Sequence, residues 1–220
     1  MSGSPVTRGP YQNGLRTRRE IIASAARIFA TYGYAGGSLR QIAGDVGVTP
    51  AALARHFDNK EGLLAAVLES WDRETDARIP PDARGISYFY RVLGTIAHNR
   101  EDRGLVELLL TLSAEASNVD HPARPFIQDR YERVIARGVE CLTEARDAGE
   151  VLRLDDAAIT AEVRLLYATM DGIQLQWLLN PSIDTLAIFR RSLTATVSRW
   201  AGYPVHIPPD ALPAAAPVNS

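Results

Sequence analysis

Twenty-four basic side chains are spread over these 220 residues, and only one of them, Lys60, is a lysine. It closes the stretch GVTPAALARHFDNK, in which Ala51, Ala52, Ala54 and Arg55 follow Thr49 and Pro50. Alanines at these positions leave a helix slim enough for its backbone to approach another molecule closely. An alanine methyl can touch a thymine methyl, and Arg55 can reach a guanine edge or a phosphate. The chemistry on offer is non-covalent recognition of a polyanion rather than bond making.

Charge along the chain agrees. Residues 1–60 hold eight basic and three acidic residues, a net of +5, whereas the other 160 carry −7. A basic head on an acidic body suits polyanion binding. Catalytic patterns are missing from the sequence. His56, His98, His121 and His206 are scattered without metal-ligand spacing, and there is no HExxH, GxSxG, P-loop or GxGxxG. Asp155 and Asp156 open a helical stretch and read as a cap and a dipole partner rather than a catalytic pair. No enzyme activity, cofactor or metal is expected. One cysteine, Cys141, excludes an internal disulfide framework and fits a reducing cytosol. With no run of eighteen apolar residues and no apolar segment near the start, the expectation is a cytoplasmic protein.

The elements that must position the alanine-faced stretch are helices. Residues 1–16, rich in Pro, Gly and Ser, read as a disordered basic arm. From Thr17, the residues Ile21, Ile22, Ala25, Ile28, Phe29 and Tyr32 share one helical face, and Gly33 ends it. Ser38 with Gln41 makes a capping pattern for a short helix whose stripe is Leu39, Ile42, Ala43 and Val46. Gly47 and Val48 form the turn, Thr49 caps a third helix with Pro50 at its first position, and Leu53 and Phe57 point inward. Asp58 or Asn59 caps a fourth helix from Lys60 with Leu63, Leu64, Val67, Leu68 and Trp71 as its stripe. Two helices about a Gly turn match a helix-turn-helix, whose second helix enters the major groove.

Residues 17–68 resemble the DNA-binding domain of the tetracycline-repressor-like (TetR) family of transcription regulators. Ser38, Ile42, Ala43, Gly47, Val48, Leu53, His56, Phe57, Lys60 and Leu63 fall on that family's pattern. The resemblance implies that Lys60 grips a phosphate at a helix N-terminus, that Ser38 and His56 meet phosphates, and that Arg40 reads a base or holds the backbone. It sets Thr49, Ala51 and Ala52 against bases or backbone, with Thr17, Pro50 and Arg55 completing the DNA-facing set. One departure is Ala54, where the family usually has a tyrosine hydroxyl on a phosphate; Arg55 is the candidate replacement.

Beyond a break at Ile79–Gly85, only helical periodicity is found, and the chain reads as all-α. The expected domains are a helix-turn-helix domain over 17–62 and a helical effector-binding and dimerisation domain over 63–200. A disordered Pro/Ala-rich tail follows over 201–220, with five prolines. The resemblance implies a homodimer on double-stranded operator DNA, most often a repressor released by a small-molecule effector. Candidate pocket residues are Trp71, Phe89, Leu112, Phe126, Tyr131, Tyr167, Met170 and Gln174. Candidate interface residues are Ala168, Gly172, Leu175, Leu179 and Phe189. Two rivals are an all-α small-molecule binder or enzyme with structural N-terminal helices, and an architectural nucleic-acid protein. The acidic body argues against the second, since a purely electrostatic binder gains nothing from it.

Overall fold

The computed structural model describes residues 10–77 and 79–207, with the backbone alone for 10–13. Among them the regular elements are helices only: α1 (Pro10–Gly36), α2 (Leu39–Val46), α3 (Pro50–Ala54), α4 (Lys60–Asp76), α5 (Gly85–Asn99), α6 (Arg103–Glu115), α7 (Arg124–Asp147), α8 (Asp156–Leu179) and α9 (Thr185–Ala201). Two compact units divide within α4, Met1–Trp71 and Asp72–Ser220. None of the described helices is long and apolar enough to cross a membrane.

In the first unit most of the expected stripes are buried: Ile21, Ile22, Ala25, Ile28 and Phe29 of α1, Ile42 and Ala43 of α2, Leu53 of α3, and Leu63, Leu64, Val67 and Leu68 of α4, while Leu39 and Val46 of α2 are half-buried. Two expectations need correction. α1 starts at Pro10, so residues 10–16 of the supposed arm are helical. Proline is compatible with a first turn, where no intrahelical N–H is needed, and the helix simply extends upstream of Thr17. Residues 1–9 lie outside the described part. Tyr32 is exposed rather than inward. The backbone leaves helical geometry at Gly33, with φ 71° and ψ 168°, and Tyr34 beyond the break packs edge-on against Phe29 at 5.7 Å.

The turn between α2 and α3 follows the sequence reading. Gly47 is left-handed at φ 73°, a conformation that glycine adopts without a Cβ penalty. The Ser38 hydroxyl accepts from Gln41 N at 3.2 Å and the Thr49 hydroxyl from Ala52 N at 3.1 Å. Asn59, not Asp58, caps α4 by accepting from Gly62 N at 2.7 Å. Each cap satisfies an N–H that the helix leaves unpaired.

In the second unit α5 packs on α7 and α9, α7 on α8, and α8 on α9. Their shared core holds Phe89, Leu93, Leu142, Ile159, Val163, Phe189, Leu193 and Trp200, with the Phe89 and Trp200 rings edge-on at 4.9 Å. Asp155 caps α8 by accepting from Ala158 N at 2.7 Å. At its other end, Arg103 of α6 donates to the carbonyls of Trp177 at 3.4 Å and Leu178 at 2.6 Å while lying 5.4 Å from the Trp177 ring. The tail beyond α9 also needs correction over its first residues. Val205 N donates to the Ser198 hydroxyl at 2.9 Å and Ile207 is buried in the core. An apolar residue two past Val205 folds the chain back against α9; residues 208–220 lie outside the described part.

Candidate nucleic-acid interface and cleft

α3 sets its two sides apart. Leu53 and, one turn on, Phe57 are buried, whereas Pro50, Ala51, Ala54 and Arg55 are exposed and Ala52 is half-buried. The hydrogen-bonded chain continues past Ala54, with His56 N and Phe57 N both donating to Leu53 O. Ser38, Arg40 and Thr49 are exposed, and Thr17 and His56 are half-buried. The hydroxyls of Ser38 and Thr49 already cap helices, so each keeps only its remaining hydrogen-bonding capacity for a partner.

Lys60 is held from within. Its ammonium stands 4.5 Å from the centre of the Tyr34 ring and donates to Ala35 O at 3.4 Å. Tyr34 in turn donates its hydroxyl to Glu61 at 2.9 Å. Burial first, and Glu61 second, push that hydroxyl far above its ordinary range. Ser24 and Arg27 of α1 both donate to Asp45 of α2 at 2.6 Å. The Ser24 bond first, and the Arg27 charge with it, hold the Asp45 carboxyl below its usual range. Arg27 is therefore partly neutralised, and Arg18 lies over the Phe57 ring at 4.8 Å. Tyr34, Asp45 and Glu61 were not foreseen: their partners stand 18 to 27 residues away, a separation without helical periodicity.

The second unit carries a cleft of about 460 Å³. Ile79, Pro80 and Pro81 form one side with Asp76; Arg84 and Tyr88 come from the start of α5, and Arg133, Val134 and Arg137 from α7. Tyr88 shares a buried hydrogen bond of 2.9 Å with Tyr167 of α8. None of the eight proposed pocket residues lines this cleft. Phe89 and Leu112 are wholly buried among other side chains. Trp71 is buried in the first unit. Met170 and Gln174 are buried on α8, Gln174 accepting from Asn99 at 3.2 Å. Tyr131 donates to Asp171 at 2.6 Å, and Phe126 is half-buried on α7. From sequence, the stretch 79–84 reads only as a break between domains.

Comparison with known proteins decides what the head is. Residues 21–67 match the family of bacterial regulatory proteins described as the tetR family. That segment carries a TetR-family regulatory domain. The chain's relatives include the transcriptional repressor KstR2 of Rhodococcus jostii, 27% identical over 62% of this chain. That match spans 59% of KstR2, so the chain covers less than two thirds of this relative's length. Among solved structures, TylP, a tetR regulator from Streptomyces fradiae, is 27% identical over 85% of this chain and 87% of its own, with a TM-score of 0.67. SmeT, a repressor from Stenotrophomonas maltophilia solved with triclosan, shares the fold: 22% identity, 88% and 97% coverage, TM-score 0.72.

The second unit also exposes an apolar line on α8. Leu165, Leu175 and Leu179 are 60%, 51% and 81% exposed, and Ala168 and Gly172 fall between them. Their alternating spacing of three and four places all five on one helix face. Phe189, expected at the interface, does not join them: at 0% exposure it is sealed in its own chain's core. Its neighbour on α9, Ile188, is 45% exposed instead.

Proposed function

We propose that this TetR-family regulator binds double-stranded operator DNA as a homodimer and acts as a repressor released by a small-molecule effector. The observation that carries the reading is α3: its apolar residues face inward while a slim row of Pro50, Ala51 and Ala54 with Arg55 faces out. Such a helix can lie deep in a major groove without side-chain obstruction. Arg40, Arg55, Ala51 and Ala52 are the proposed groove contacts. Thr17, Ser38, Thr49, Pro50, His56 and Lys60 are proposed along the backbone, where phosphate contacts fix register.

The α8 stripe supports pairing of two chains. An exposed line of leucines with small residues between them gains by packing against its copy, and two heads about 34 Å apart would meet successive major grooves. The DNA-binding part is taken as 17–62 and the effector-binding and dimerisation part as 63–200. The cleft of the second unit is of the size that small-molecule sites have. On this reading the protein works in the cytoplasm, needs no cofactor and catalyses no reaction. The test is selection of bound fragments from genomic DNA, followed by footprinting. A palindromic protected site with half-sites one helical turn apart is expected, and indifference to every duplex would falsify the reading.

A further inference from the structure

We infer that the cleft between α5 and α7 takes a small amphipathic anion, a carboxylate or phosphate ester on an apolar body. Three guanidiniums, Arg84, Arg133 and Arg137, line it against one carboxylate, Asp76, within a stretch of chain (residues 61–220) whose net charge is −7. Each of the three also has a carboxylate partner outside the lining, Glu144 for Arg84, Asp72 and Asp129 for Arg133, and Glu140 for Arg137, so an anion would meet their remaining N–H donors rather than a net positive charge. The guanidinium fork matches the two oxygens of a carboxylate or phosphate.

The three arginines differ in what they have left to give. Arg84 lies 3.8 Å from Glu144, too far for a hydrogen bond, so its donors are uncommitted. Arg133 is steadied by Asp129 at 2.9 Å through Nε and by Asp72 at 3.4 Å through Nη2, which leaves both N–H groups of Nη1 and one of Nη2. Arg137 uses one N–H of Nη1 on Glu140 at 2.6 Å and one of Nη2 on Ala83 O at 3.0 Å, which leaves Nε and one N–H on each Nη, and it rests 5.5 Å from the Tyr88 ring. These bonds hold the two α7 guanidiniums in place before a ligand arrives, which reduces the ordering cost of binding. Ile79, Pro80, Pro81 and Val134 supply the apolar wall. A ligand with only apolar surface would leave these donors unused, and a cation would meet N–H donors at three of the four charged positions of the lining.

The inference rests on the effector reading for this unit, and binding is measured without DNA so that the two can fail separately. The full-length protein is titrated calorimetrically with hexanoate, octanoate, benzoate and octyl phosphate, and with hexanol, octanol and benzyl alcohol as matched neutral probes. At least one anion is expected to bind about tenfold more tightly than its alcohol, and added salt should weaken it. Arg84→Gln and Arg137→Gln should each weaken it by about tenfold. Arg84→Gln, at an exposed site, should leave the melting temperature unchanged. Preference for octanoate or for octyl phosphate supports the inference and identifies the head group. Equal binding of anions and alcohols, or an Arg84→Gln variant that binds anions as the unaltered protein does, overturns it. Anion binding that leaves DNA affinity unchanged keeps the cleft inference and overturns the effector reading. Release from DNA by compounds insensitive to Arg84→Gln does the opposite.

Discussion

Replacing Lys60 with alanine removes one ammonium from each head, and the consequence can be worked out from its surroundings. The group makes a single long bond of 3.4 Å to Ala35 O and sits over Tyr34 at 4.5 Å, which leaves two N–H donors for a phosphate. A half-exposed cation–π contact is worth about 0.5–1 kcal/mol, so the head should lose no more than that in stability. DNA binding should respond more. Each neutralised phosphate contributes about 0.9 to the slope of log affinity against log salt, and a dimer with two heads loses about 1.8. Between ~50 and ~200 mM salt the unaltered protein should therefore lose about tenfold more affinity than the variant. The assay is fluorescence anisotropy with a duplex recovered from the genomic selection, at four or more salt concentrations. Tyr34→Phe serves as a control: it keeps the ring under the ammonium, drops the bond to Glu61, and should keep the steep slope. Parallel slopes for Lys60→Ala and the unaltered protein would show that the ammonium touches no phosphate.

Further outcomes follow from the second unit. Leu175→Arg with Leu179→Arg sets like charges along the exposed stripe, and sedimentation should show a monomer with unchanged helix content; a dimer would exclude this face. Asp171 is raised above the ordinary range by burial, against the opposing bond from Tyr131 and the charge of Arg130. Its stabilising contribution is thus fully present below the unfolded value of about 4 and is lost as pH rises through the folded value. Asp171→Asn should gain melting temperature relative to the unaltered protein as pH climbs towards neutrality, and an unchanged difference would exclude the buried carboxylate as the cause. The Cys141 thiol, buried and pushed up to about 11, should react with a disulfide reagent only after denaturation. Prompt labelling of the native chain would contradict its burial.

What the sequence made legible was local. The caps at Ser38, Thr49, Asn59 and Asp155 each bond a backbone N–H three residues on, and residue type with spacing is enough to find them. The stripes of α1 to α4 were legible for the same reason. Tyr32 and Tyr34 show where this stops: both look apolar enough to turn inward, and the backbone at Gly33 decides between them. Phe189 shows another limit. Periodicity says that a residue faces something apolar, but not whether that is its own core or another copy of the chain. α8 is apolar on both sides, and only the packing of α7 and α9 reveals which leucines remain uncovered. The cleft was hidden for a third reason. Arg84 and Arg137 are 53 positions apart in the chain, and surface arginines carry no mark of the shape around them.

The grip of Arg103 on the carbonyls of Trp177 and Leu178 gives residues far apart a shared fate. Without that cation the last turn of α8 would fray, since nothing else described there offsets the negative pole of so long a helix. Leu179, at the very tip, would swing out of line with Leu175. On the proposed pairing, a substitution at Arg103 in α6 would then shorten the leucine row by a turn, and loosened association would be its first symptom.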